Sequence, residues 1–187
     1  MISIAEVIAV PCPPKRLWDV ISSPPDVVAC IGGAELGEAH EDGSFDGALV
    51  VRFGGVRVKF AARVALELDE AELTGRLTAR GRDGQAATRF TAEATFRVGE
   101  GAGAEDAQVA MDGEIRLTGK LATLIESGAG IVVSRMTKEF TANLIERCAV
   151  GEEPEVEVEV EPEEAAARPG LWSRIRAWWS RLRGASS

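Results

Sequence analysis

Residues 120–147 read KLATLIESGAGIVVSRMTKEFTANLIER, and the spacing of their apolar side chains sets the fold. Leu121, Leu124, Ile125, Gly128, Ile131, Val132, Met136, Phe140, Leu144 and Ile145 recur at the helical period and make one broad apolar stripe. The spacing predicts a long helix over 120–147. Everything between Gly33 and that helix follows a period of two instead. A helix with so wide a dry face therefore has a sheet to cover.

The strands are legible from their alternation. Phe45, Gly47, Leu49, Val51 and Phe53 share one face, with Asp46 and Arg52 on the other. After the Gly54-Gly55 turn, Val56, Val58, Phe60, Ala62, Val64, Leu66 and Leu68 alternate with Arg57, Lys59, Arg63, Glu67 and Asp69. Leu73, Leu77 and Ala79 repeat the pattern against Arg76 and Arg80. Asp83-Gly84 gives a hairpin signal, and Phe90, Ala92, Ala94, Phe96 and Val98 follow. A Gly-rich loop over 99–106 precedes Val109, Met111, Ile115 and Leu117. Upstream, Ile2 to Val10 alternates as a first strand; Pro11, Pro13 and Pro14 stop it, and short helices are expected at Lys15–Ile21 and Asp26–Ile31. The predicted class is α+β: a curved antiparallel sheet of six to seven strands wrapped around a long C-terminal helix, with two short helices after strand 1.

A chain of 187 residues, 45% hydrophobic, holds one core with appendages. Its formal charge of −9 divides unevenly: −6 over residues 1–151, −8 over 152–167 from eight glutamates, and +5 from Arg168 onward. A mildly acidic body argues against a nucleic-acid partner. Cys12, Cys30 and Cys148 are an odd, widely spaced set without C-x-x-C, which points to small buried residues in a reducing compartment, with no metal site. The N-terminus has no basic n-region, and Glu6 interrupts its apolar run, so it reads as a strand and the expected location is the cytoplasm.

The tail has a different character. Beyond the domain at 1–148, residues 149–168 read as an acidic extended linker in which Glu155–Glu161 places a charge at every second position. Residues 169–184 then carry three of the four tryptophans, four arginines and no acid. On a helix, Leu171, Trp172, Ile175, Trp178, Trp179 and Leu182 fall within an arc of roughly 120°. Arg174 and Arg181 flank one edge and Arg176 and Arg183 the other, where guanidinium groups reach phosphates and tryptophan rings sit at headgroup level. About thirteen helical residues span roughly 20 Å, too short to cross a bilayer. The segment is expected to lie on an anionic membrane surface, on the inner face of the cell membrane, with a partner-protein groove as the alternative. Residues 185–187 are expected to be a disordered end.

Catalytic constellations are absent from the pattern. His40, the one histidine, reads as a solvated loop residue between Glu38, Glu41 and Asp42, and no second histidine exists to pair with it. Gly99, Gly101 and Gly103 lack the strand-to-helix context and lysine of a phosphate loop. The predicted inward stripes instead contain Phe45, Leu49, Phe53, Val58, Phe60, Val64, Leu77, Phe90, Phe96, Met111, Ile115, Ile125, Val132 and Met136, with Trp18 as core or at a cavity mouth. These residues either fill a core or line a cavity that selects a lipid-like or isoprenoid small molecule.

Order and residues together resemble the START-like (SRPBCC) helix-grip superfamily, and more narrowly the CoxG-like family of carbon monoxide dehydrogenase accessory proteins. The resemblance rests on Pro11, Pro13, Pro14, Lys15 and Trp18, on SSPPDVVACIGGAE from Ser22 to Glu35, and on GKLATLIESGAGIVVSRMTKEFTANL from Gly119 to Leu144. Gly32 departs from it, standing where the family has proline. The resemblance implies an accessory protein of a molybdenum-containing CO dehydrogenase or similar hydroxylase, concerned with membrane attachment and with carrying a quinone; no other cofactor is expected. An enzyme of the same fold acting on a hydrophobic small molecule, or a purely protein-docking adaptor, are the alternatives.

Overall fold

The proline cluster after the first strand separates a sheet-forming N-terminus from two short helices, because each ring fixes φ and removes a ladder donor. A computed structural model describes residues 1–150 apart from Ala104. Their elements run β1 (Ile2–Val10), α1 (Pro14–Ile21), α2 (Pro24–Cys30), β2 (Ala34–Ala39), β3 (Phe45–Phe53), β4 (Val56–Asp69), β5 (Thr74–Asp83), β6 (Thr88–Glu100), β7 (Ala107–Gly119) and α3 (Ala122–Ala149). The predicted long helix is therefore present, shifted two residues toward the C-terminus. The two short helices each begin earlier than expected, with proline in the first turn, where a missing N–H costs nothing. The predicted linker beyond Val150, the 169–184 helix and the 185–187 end lie outside the described residues.

All seven strands of the described residues join one antiparallel sheet in the order β1-β7-β6-β5-β4-β3-β2, so the first of them pairs with the last. Register carries the alternation across five of the six pairs: Ile2 faces Ile115, Phe90 faces Leu117, Leu77 faces Ala94, Val64 faces Ala79, and Phe45 faces Val64, while the β2–β3 pair shifts register between Leu36 and Ala39. The dry face thereby runs from β1 to β3, and α3 lies against it. Arg147 near the end of α3 grips Asp26 of α2, with Nε at 2.8 Å from Oδ1, and the Met1 ammonium group pairs with Glu126 near its start.

The inward face is shaped by glycine opposite aromatic rings. A Cβ on Gly75 would stand 2.2 Å from Cζ of Phe96, and one on Gly81 2.6 Å from Cε1 of Phe90, so both rings lie across a bare backbone. Gly119 ends β7 at φ +125, where a Cβ would sit 2.1 Å from the Ala87 carbonyl oxygen. Replacement Gly119→Ala is expected to destabilise the protein by roughly 1–3 kcal/mol, read from the shift of the urea midpoint at unchanged m-value.

Candidate ligand site between sheet and helix

Two packed clusters hold the domain, one at each end of the strands. The first gathers Leu17, Trp18, Val20 and Ile21 of α1 with Val10, Val98, Val109, Phe140, Leu144 and Cys148, and Phe96 and Met111 pack on its border. Trp18 and Phe96 rings stand 6.1 Å apart, in a tilted arrangement. The second gathers Val51, Phe53, Val58, Phe60, Ile125 and Val132, with Leu49, Phe90 and Met136 against it. Phe60 and Phe90 meet edge to face at 5.6 Å.

Between these clusters the inward face is not closed. The cross-sheet row Ile4, Gly113, Ala94, Leu77 and Leu66 is half-buried throughout, as are Ile115, Ala92 and Val64 in the next row, where Ala79 and Phe45 are buried and Ile2 packs against the second cluster. Solvent thus still reaches side chains that point toward the helix. The cause is visible in the packing: α3 rests on β1 and β7 at one side of the sheet and on β3 at the other, bridging the strands between. The residues of these rows that stay half-buried include the small Gly113, Ala92 and Ala94.

The fifteen residues expected to line a cavity fall into two groups. Trp18, Phe45, Phe53, Val58, Phe60, Ile125 and Val132 are buried, most of them within the two packed clusters. Leu49, Val64, Leu77, Phe90, Phe96, Met111, Ile115 and Met136 are half-buried and border the open middle. The ten tail residues expected to meet a membrane, from Leu171 to Arg183, lie outside the described residues.

Glu6 is the functional candidate that the apolar stripes concealed. It stands on the inward face of β1 between Ile4 and Ile8, opposite Met111, and is half-buried. Of the other carboxylates on that face, Asp83 accepts from the Ala87 N–H at 2.8 Å and serves the β5–β6 turn, and Glu100 stands exposed at the end of β6. Glu6 has no ion-pair or hydrogen-bond partner among the described residues. The alternation Ile2, Ile4, Glu6, Ile8, Val10 already put it on the dry face; that signal was available in the sequence.

The polar features elsewhere are structural. His40, expected as a solvated loop residue, sits in the turn after β2 with Nε2 3.0 Å from Asp46 Oδ1 and a side chain only 24% exposed. Ser44 donates to Asp42 Oδ1 from its N–H at 3.1 Å and from Oγ at 2.5 Å, holding that carboxyl below the usual range. The three cysteines join the first cluster, each buried and outside any disulfide. Burial, reinforced by a hydrogen bond with Cys12, pushes the Cys148 thiol up to about 12. Burial also raises Cys30, against the pull of Arg147. The Cys148 thiol therefore stays protonated at neutral pH. No thiol is expected to react with a disulfide reagent in the native state, and all three should react once the chain is unfolded in urea, as counted by absorbance. On the outer face, an open basin of ≈ 710 Å³ is bordered by Lys59, Arg63, Arg80, Arg82 and Arg89, away from the apolar site.

A curved antiparallel sheet gripping one long helix, with two short helices after the first strand, defines a helix-grip protein. The family model for the carbon monoxide dehydrogenase protein CoxG matches residues 7–149, and the chain belongs to that family. Comparison with curated protein sequences returns no match. Solved structures agree on the fold at low identity. A conserved protein from Geobacillus kaustophilus superposes at a TM-score of 0.69 and 17% identity, covering 80% of this chain and 97% of its own. The Zhui aromatase/cyclase from Streptomyces sp. R1128 does so at 0.52 and 15%, covering 79% and 93%. Norcoclaurine synthase from Thalictrum flavum gives 0.51 and 11%, covering 81% and 87%.

Proposed function

We propose that the chain is a non-catalytic accessory protein that brings a molybdenum CO dehydrogenase-type oxidoreductase to the cytoplasmic membrane and carries a quinone or similar lipid-like molecule under α3. The observation that carries the ligand half is the half-buried, almost wholly apolar inward face between two packed clusters. Each methylene that enters it contributes about 0.8 kcal/mol, which suits an isoprenoid chain. Family membership supports the oxidoreductase partner. The Trp/Arg composition of residues 169–184 supports attachment to an anionic surface, and no helix among the described residues is long and apolar enough to cross a bilayer. The test is to incubate the full chain with vesicles containing a long-chain quinone, re-isolate it, and measure extracted quinone by mass spectrometry. Near-stoichiometric recovery is expected, and neither quinone nor phospholipid in the extract would sink the ligand reading.

Glu6 favours a second reading, an enzyme of this fold acting on a hydrophobic small molecule. One carboxylate offers a single proton-transfer group rather than a dyad. That reading requires turnover that Glu6→Gln abolishes while binding persists; recovery of every ligand chemically unchanged removes it.

A further inference from the structure

The two ends of the sheet carry opposite charge. The turns at one end, over 40–44, 70–73 and 101–106, hold Glu41, Asp42, Glu70, Glu72, Glu105 and Asp106. The other end is formed by the β3–β4 turn, the β5–β6 turn and the start of α3, and its exposed charges are Arg52, Arg57, Arg82, Arg89 and Lys120, with Glu126 neutralised by the Met1 ammonium group. Register makes this arrangement costly. Arg52 lies directly opposite Arg57, and Arg82 directly opposite Arg89. Like charges in cross-strand pairs repel, and none of these four arginines has an acidic partner among the described residues. Repulsion of that kind is relieved by an anion brought from outside.

Apolar side chains mark the same end. Of the six large hydrophobic side chains left exposed among the described residues, Met1, Val56, Leu124 and Ile131 belong to it, Ile131 at 81% exposure. Leu124 and Ile131 flank Gly128, where α3 meets the β3–β4 hairpin at 3.1 Å from the Phe53 ring, and Val56 stands at that hairpin's tip. Basic groups surrounding projecting aliphatic groups suit an anionic bilayer, with the guanidinium groups at the phosphates and the aliphatic groups below them. An acidic protein surface would match the charge but would leave Ile131 and Leu124 without a reason.

We infer that this basic, apolar-tipped end of the domain is a lipid-facing surface in its own right, so that the body docks on the membrane with its acidic turns pointing away. The inference deepens the attachment proposed above and uses it only to bring the chain to the vesicle. The test places a fluorophore on the full chain at Ile131→Cys or, separately, at Glu72→Cys, the native thiols being buried. Each labelled protein is bound to phosphatidylcholine–phosphatidylglycerol vesicles containing a lipid that carries a shallow quencher. Strong quenching at position 131 and little at 72 is expected. A four-fold reversal, Arg52→Glu with Arg57→Glu, Arg82→Glu and Arg89→Glu, should equalise the two and weaken binding by at least about tenfold. Vesicle-bound protein with equal quenching at both positions overturns the inference while leaving tail attachment intact. Bound protein unquenched at 131 overturns it in favour of an acidic protein at this end, and absence of vesicle binding overturns both.

Discussion

Ending the chain at Ala167 is expected to lower its partition onto anionic vesicles by about a thousandfold. Truncation removes Leu171, Trp172, Ile175, Trp178, Trp179 and Leu182 together with five arginines. Interfacial insertion buries only part of each apolar side chain, and an arginine near an anionic surface contributes at most about 1 kcal/mol. Their combined loss of about 4 kcal/mol corresponds to three decades in partition. The lipid-facing end of the body, having no tryptophan and only three or four aliphatic tips, supplies orientation more than affinity. Two further readings distinguish the parts. Raising salt should remove the arginine share and leave the tryptophan share, because screening acts on charge alone. Emission should shift to the blue as vesicles are added to the full chain, since three of its four tryptophans sit in the tail. Trp18, at 3% exposure, should contribute a constant background. Co-sedimentation of the truncated chain equal to that of the full chain would remove the membrane role of residues 169–184.

What the sequence made legible follows from how local each signal is. Strands and the long helix were readable because one dry face in each imposes a period, which the structure keeps through the pairing of β1 with β7; along α3 the dry face is narrower than the predicted stripe, because Leu124 and Ile131 are exposed. Element ends moved by one or two residues, where proline geometry and fraying decide rather than pattern. The open middle of the inward face was not readable. Leu77 and Leu144 look alike in sequence, yet one stays half-buried in the central rows of the sheet and the other is fully buried in the first cluster beside α1 and β1. Charge polarity was equally hidden. Arg52, Arg57, Arg82 and Arg89 come from two hairpins that only sheet order brings to one end. Glu6 was hidden for a different reason: its place in the alternation was plain, but a carboxylate on a dry face has meaning only once that face is seen to be open.

The contrast between Leu77 and Leu144 also yields the most direct measure of whether the gap exists. Leu144 is fully buried in the first cluster, so Leu144→Ala removes its transfer energy and leaves a cavity, a loss of about 3–4 kcal/mol. Leu77 is half-buried, so, if the inward face is open there as proposed, Leu77→Ala loses only part of the transfer energy and adds no cavity cost, about 1 kcal/mol. Enlargement should reverse the order of tolerance. Ala107→Leu at a fully buried site forces the cluster apart, at roughly 1–3 kcal/mol. Ala94→Leu in the open row, beside Gly113, should be close to neutral in stability and should reduce the quinone recovered from the purified chain. Urea midpoints of ligand-free protein supply all four values. Equal losses for Leu77→Ala and Leu144→Ala would mean that side chains fill the space beneath α3, and then the family membership of this chain would stand without a ligand-carrying role for its core.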